Sequence, residues 1–152
     1  MAMSADDIQK GRSAWEKFYA NAEDNGAVVL SRMFKEHPHT VSYFKNFKEL
    51  QSMAEKASSV ELQGLSEVRG HGKKVLSALN DMVQYLDNMD SLKKVTEPLG
   101  KKHAVELQVD VKDFDIIFTI LLDLLGEKCG GDAKTDLKKV TDLLYEEIKS
   151  TY

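Results

Sequence analysis

Apolar side chains recur in steps of three and four along almost the whole chain, a period that suits helices and not strands. The clearest stripe is Leu65, Val68, Gly72, Val75, Leu79, Met82 and Leu86. Shorter stripes follow the same rule: Ile8, Gly11, Trp15, Phe18 and Ala22, then Val29, Leu30, Met33 and Phe34. Leu92, Val95, Leu99 and His103 form another, as do Phe118, Leu121 and Leu125, and Leu137, Val140, Leu144 and Ile148. No run alternates with period two, and there is no repeat or low-complexity tract. With 2 Pro and 9 Gly in 152 residues, the chain has little punctuation for a many-stranded sheet, while 42% hydrophobic residues suffice for a core. The expectation is one all-α domain over residues 1–152, with seven to eight helices in layers.

Local signals place the boundaries. Ser4 with Asp7 reads as a capping pair opening the first helix, Asn25-Gly26 as the break that ends it, and Pro38 in "HPHT" as the end of the second. Residues 48–62 are polar and read as a mobile connection with one short helix. The following helix runs from about Ser59 or Leu65 to Leu86, and "DNMD" at 87–90 reads as a loop. Pro98 is expected to precede a short helix. Asp110 is expected to cap the next helix, Gly130-Gly131 to end it, and Asp132 to cap the last.

Charge and cysteine use exclude several classes. A net charge of −4 does not favour nucleic acid as a partner. The paired lysines (Lys73-Lys74, Lys93-Lys94, Lys101-Lys102, Lys138-Lys139) read as solvated helix faces. Cys129 stands alone beside Gly130-Gly131, so no internal disulfide forms and the chain suits a reducing compartment. "MAMSADDIQKG" carries neither the basic nor the apolar region of a secretory signal. No stretch reaches the roughly 18 apolar residues of a transmembrane segment. A cytoplasmic protein is expected.

Two imidazoles stand on inward-facing stripes, His71 in "EVRGHGKKVLSALNDMV" and His103 in "VTEPLGKKHAVEL", 32 residues apart. A lone inward His is more often a core residue bonded to a carbonyl than a ligand. Structural zinc wants four N or S ligands, and no such cluster is present. A haem needs less, because the porphyrin brings its own nitrogens and the protein need supply one axial ligand. Phe44 and Phe47 in "SYFKNF" would offer flat ring surface, and Leu30, Val75, Leu99, Val109, Phe114 and Ile117 an apolar lining. The same residues read equally as ordinary core, and spacing leaves both readings open.

The segments "LSRMFKEHPHTVSYFKNF", "HGKKVLSALNDMV" and "PLGKKHAVELQVD" together resemble the vertebrate globins, specifically the myoglobin and cytoglobin branch. Trp15 and the terminal Tyr152 stand where that family has a Trp and a Tyr, and the interval between the histidines is similar to that of cytoglobin. The resemblance implies a globin fold enclosing a haem b (iron protoporphyrin IX) pocket. It implies that His103 is the proximal iron ligand, with Nδ1–H donating to a backbone carbonyl near Leu99. His71 matches the distal histidine, which either stabilises a bound gas or serves as sixth ligand. Phe44 matches the ring that packs on the porphyrin, Leu30 and Val75 set the distal pocket, and Lys74 is placed to pair with a haem propionate.

Several positions depart from the family pattern. The connection between Phe47 and His71 is longer than in close relatives. Leu107 stands where relatives often carry a basic propionate partner, and Lys102 where a Ser commonly precedes the proximal His. Ala22 and Lys73 occupy the positions of cytoglobin's redox-active cysteine pair, so that thiol switch is absent.

The leading expectation is a haem protein that reversibly binds dioxygen and other diatomic gases, for storage, intracellular transport or sensing. The alternative is a haem redox enzyme: a nitric oxide dioxygenase, a nitrite reductase or a weak peroxidase served by a cellular reductase. A third reading, a haem-free helical interaction module, requires both imidazoles to be satisfied by carbonyls. A monomer or weak dimer is expected.

Overall fold

The computed structural model describes residues 3–152. Eight α-helices make the fold: α1 Ala5–Tyr19, α2 Ala22–Glu36, α3 Lys48–Met53, α4 Ser59–Gln63, α5 Ser66–Val83, α6 Met89–Lys101, α7 Lys112–Cys129 and α8 Gly131–Lys149. A 3-10 helix, Pro38–Phe44, follows α2, and a π-helical segment, Lys102–Glu106, follows α6. No strand occurs among the described residues.

The predicted stripes form the core. Trp15, Phe18, Val29, Leu30, Met33, Phe34, Val68, Leu79, Met82, Leu121, Leu125, Leu137, Val140, Leu144 and Ile148 are all buried. The first helix starts where its capping pair predicts, with Asp7 N donating to Ser4 Oγ at 3.0 Å. α1 packs on α8, α2 on α5, α7 on α8, and α2 also on α7.

Asn25-Gly26 does not break the first helix. The break falls at Ala20–Asn21, and both residues lie buried inside α2. Asn25 Nδ2 donates to the Phe18 carbonyl at 2.8 Å, which satisfies an acceptor near the end of α1. Gly26 faces Gly72 where α2 crosses α5. A Cβ on Gly72 would stand 2.5 Å from the Gly26 carbonyl carbon, so the backbones approach as only glycine permits. Residues that read locally as a turn are used here for a tertiary contact.

The 48–62 connection is ordered and holds α3 and α4. Leu50 and Leu62 are fully buried, and Ala57 is buried between them. Ser58 and Glu61 form a second capping box. Other helices hold the segment: the Lys35 ammonium donates to the Ala54 carbonyl at 3.0 Å, and the Leu50 N–H donates to Glu67 Oε1 at 3.0 Å. α5 therefore begins at Ser66 and ends at Val83, short of Leu86.

Three further boundaries differ from expectation. The α6 helix starts within "DNMD", capped by Asn88, whose Oδ1 accepts from Ser91 N at 3.2 Å. Pro98 lies inside α6 and removes the N–H that would bond the Lys94 carbonyl. Asp132 sits within the first turn of α8, and the cap position belongs to Gly130, whose φ of +95° is left-handed. Asp110 does serve α7, accepting from Lys112 N at 3.0 Å.

Candidate functional site

His71 projects from the second turn of α5 and is half-buried. Its ring meets two phenylalanine rings edge-on, Phe44 at 4.9 Å and Phe47 at 5.7 Å. Those rings belong to the end of the 3-10 helix and the turn after it, and Phe44 is braced by buried Phe34 at 5.2 Å. Burial, then the Lys74 ammonium and His103, hold the His71 imidazole below its usual 6.5. At neutral pH it is therefore an uncharged ring with both a donor and an acceptor nitrogen.

His103 approaches from the π-helical segment after α6. Its Nδ1 lies 2.7 Å from the Leu99 carbonyl oxygen, which can only accept, so Nδ1 carries the proton. The Nε2 lone pair is thereby left to face outward from that bond. Phe114, in the first turn of α7, stands 5.1 Å from the His103 ring. The two imidazoles, from separate elements, are close enough that His103 contributes to the shift at His71.

The apolar residues around them have an exposure unlike the rest of their stripes. Val75 is only half-buried although Val68, Leu76, Leu79 and Met82 on the same helix are buried. Leu99, Phe114 and Ile117 likewise pack on the core with one side uncovered. Val109 is half-buried in the loop before α7. The structure thus gathers Phe44 and Phe47 at His71, and Phe114 and the Leu99 carbonyl at His103, while Val75, Leu99 and Ile117 pack on the core from α5, α6 and α7. Leu30 differs: at 1% exposure it stands wholly within the core. Lys74 is exposed beside His71, Lys102 is exposed, and Leu107 is 46% exposed on the loop after the π segment.

These residues fit a haem. One imidazole has its lone pair freed by a carbonyl partner, a second neutral imidazole stands nearby, and flat rings and branched aliphatics complete the apolar surroundings. Among the described residues no cluster of three or more His, Cys, Asp or Glu could cage a bare metal ion. A metal carried by a macrocycle with its own nitrogens needs no such cluster.

The sequence did not reveal a polar group beside the site. Asp113, one residue before Phe114, is buried, and its carboxylate accepts from the Tyr43 hydroxyl at 2.7 Å and stands 3.0 Å from His39 Nε2. Tyr43 precedes Phe44. Burial and the bond to Asp113 push the Tyr43 phenol up. No motif spacing links residues 70 positions apart, so only the fold could join them.

Comparison with known proteins agrees with this geometry. A globin family model matches residues 27–152. Cytoglobin-1 of Danio rerio is 30% identical, with 99% of this chain aligned to 86% of that protein. Cytoglobin-1 of Oryzias latipes is 34% identical over 76% of this chain, an aligned stretch spanning 62% of the relative's length. Haemoglobin subunit alpha-D of Meleagris gallopavo is 33% identical, with coverage of 97% and 94%. No helix among the described residues is long and apolar enough to cross a membrane. The chain belongs to the globin family, where it is related to the vertebrate cytoglobins.

Proposed function

We propose that this globin holds haem b between His103 and His71 and reversibly binds dioxygen and other diatomic gases. The observation that carries the reading is the pair of imidazoles, from α5 and the π segment, each flanked by phenylalanine rings. Haem, when bound, would supply an iron able to coordinate a protein nitrogen and a small gas.

Each residue's contribution follows from its surroundings. His103 offers Nε2 as the proximal ligand, and the Leu99 carbonyl fixes its tautomer and resists rotation of the ring. Phe114 on one side and Phe44 and Phe47 on the other offer rigid ring surface. Val75, Leu99, Val109 and Ile117 exclude water, and Leu30 limits from behind how far the distal side can give. His71, kept neutral by burial, presents an N–H that can donate to a polarised gas. Lys74 supplies a cation at the exposed edge for a propionate. Leu107 supplies none, so the propionates are held chiefly from the α5 side.

The test is reconstitution with haemin, followed by the visible spectrum of the anaerobic, reduced protein before and after carbon monoxide. The expected result is stoichiometric uptake and a reversible change on gas binding. A chain that folds and refuses haemin overturns the reading. A broad band before gas reports five-coordinate iron, and sharp split bands report His71 as sixth ligand. In the second case the gas competes with an internal imidazole, which lowers its apparent affinity.

A further inference from the structure

One peptide group near the site is held from both sides by tyrosines. The Tyr152 hydroxyl donates to the Val109 carbonyl at 2.9 Å. The Asp110 N–H of that same peptide unit donates to the Tyr43 oxygen at 3.3 Å. Tyr43 in turn donates its own O–H to Asp113 Oδ2 at 2.7 Å, while Asp113 Oδ1 stands 3.0 Å from His39 Nε2. The chain of bonds therefore runs from the C-terminal residue, through a backbone amide, to a buried carboxylate. Each link polarises the next. Burial pushes Tyr152 up to about 12 and also raises Tyr43, so both remain O–H donors throughout the physiological range.

The clamped peptide belongs to the loop that leaves the His103 segment. Val109 N–H donates to the His103 carbonyl at 2.8 Å. Between them Gln108 has a φ of +52°, the left-handed region that a residue with a Cβ occupies only when its surroundings enforce it. The preceding turn is π-helical, closed by Leu107 N donating to the Lys102 carbonyl at 3.0 Å. Two uncommon backbone conformations thus lie within five residues of His103, with Leu107 between them, and the tyrosine clamp is one of the contacts that fix the end of the loop. The clamp also spans the site. Tyr43 is adjacent to Phe44, which touches His71, and Asp113 is adjacent to Phe114, which touches His103.

We propose that Tyr43, acting through the Asp110 amide and the Asp113 carboxylate, is a positioning residue for the His103 imidazole and couples it to the wall around His71. The inference rests on the haem reading above. With the Tyr43 hydroxyl removed, the 109–110 peptide keeps the Tyr152 bond at its carbonyl but loses the acceptor of its N–H, so it can tilt about the bond that remains. The strain at Gln108 is then less firmly held, and the Val109 N–H that meets the His103 carbonyl gains freedom to shift.

The experiment uses haemin-reconstituted protein with Tyr43→Phe, Asp113→Asn and Asp113→Leu, each read in two ways. The first is the iron–histidine stretching band of the reduced protein by resonance Raman. The second is hydrogen exchange at the Asp110 amide in the carbon monoxide complex by NMR. Tyr43→Phe is expected to keep its fold and haem, to shift or split the band, and to exchange Asp110 roughly fivefold faster, as one lost hydrogen bond implies. Asp113→Asn retains an acceptor for Tyr43 and is expected to resemble wild type, whereas Asp113→Leu resembles Tyr43→Phe. Should Tyr43→Phe fail to fold, the Asn and Leu pair carries the same contrast. A haem-loaded Tyr43→Phe, or Asp113→Leu, with an unchanged band overturns the proposal. Wild-type protein that refuses haemin overturns the haem reading instead.

Discussion

His103 Nδ1 and the Leu99 carbonyl oxygen, four residues apart in sequence, meet at 2.7 Å across the junction where α6 gives way to the π-helical segment. An ordinary helix would use that carbonyl for the N–H of residue 103. Here it accepts from the Lys102 N–H and receives the imidazole proton, so the ring's orientation is tied to the backbone that carries it.

His103→Gly is expected to lower haem retention by at least about tenfold, since even the outer partners of a ligating His carry 10- to 100-fold effects. Transfer of haem to a scavenging apoprotein measures the loss. Added imidazole is expected to restore the spectrum of the variant. A variant that keeps haem with wild-type lifetime removes His103 from the proximal role.

His71→Leu removes the imidazole N–H proposed to donate to a bound gas. Dioxygen is expected to leave roughly tenfold faster or more, the factor that a hydrogen bond to a charged or strongly polarised acceptor supplies. Carbon monoxide, a poorer acceptor, is expected to change far less. Flash photolysis and stopped-flow displacement check both rates, and equal dioxygen rates in the two proteins count against the assignment.

The lowered pKa of His71 has a sign that unfolding experiments can read. The unfolded chain binds a proton near the ordinary 6.5, whereas the folded chain resists it. Stability is therefore fully present above 6.5 and falls as the pH drops from there toward the lower folded value. Urea titrations of the haem-free chain at pH 7.5 and 5.5 are expected to show a loss that His71→Leu reduces. An identical loss in the variant assigns it to other groups.

Gly72→Ala introduces a methyl where the α2 backbone already stands, 2.5 Å from the Gly26 carbonyl carbon. Helix propensity favours alanine by about 1 kcal/mol, yet overpacking against backbone costs about 1–3 kcal/mol or more. Net destabilisation is expected, seen as a lower denaturant midpoint. A more stable variant shows that the helices can separate without penalty.

Much of the fold is legible in periodicity, because the inward positions of α2, α5, α7 and α8 recur every three or four residues and are buried accordingly. Periodicity does not carry what depends on a partner elsewhere. Asn25-Gly26 has the composition of a turn, but the Phe18 carbonyl and Gly72 recruit it into a helix. Between 48 and 62, Leu50, Ala57 and Leu62 are isolated apolar residues in a polar stretch, and Lys35 and Glu67 complete their order from other helices. The histidines and most apolar neighbours of the site are visible as inward positions on stripes. The Tyr43–Asp113 bond is not, because neither residue belongs to an apolar pattern.

Val75, Leu99, Phe114 and Ile117 keep part of their apolar surface uncovered in the chain without haem. Chaperones and proteases select for such surfaces, while a bound cofactor covers them and adds its binding free energy to that of folding. In a cell, then, the lifetime of each newly made molecule would follow the local supply of haem. The amount of protein that accumulates would report that supply before any gas is bound.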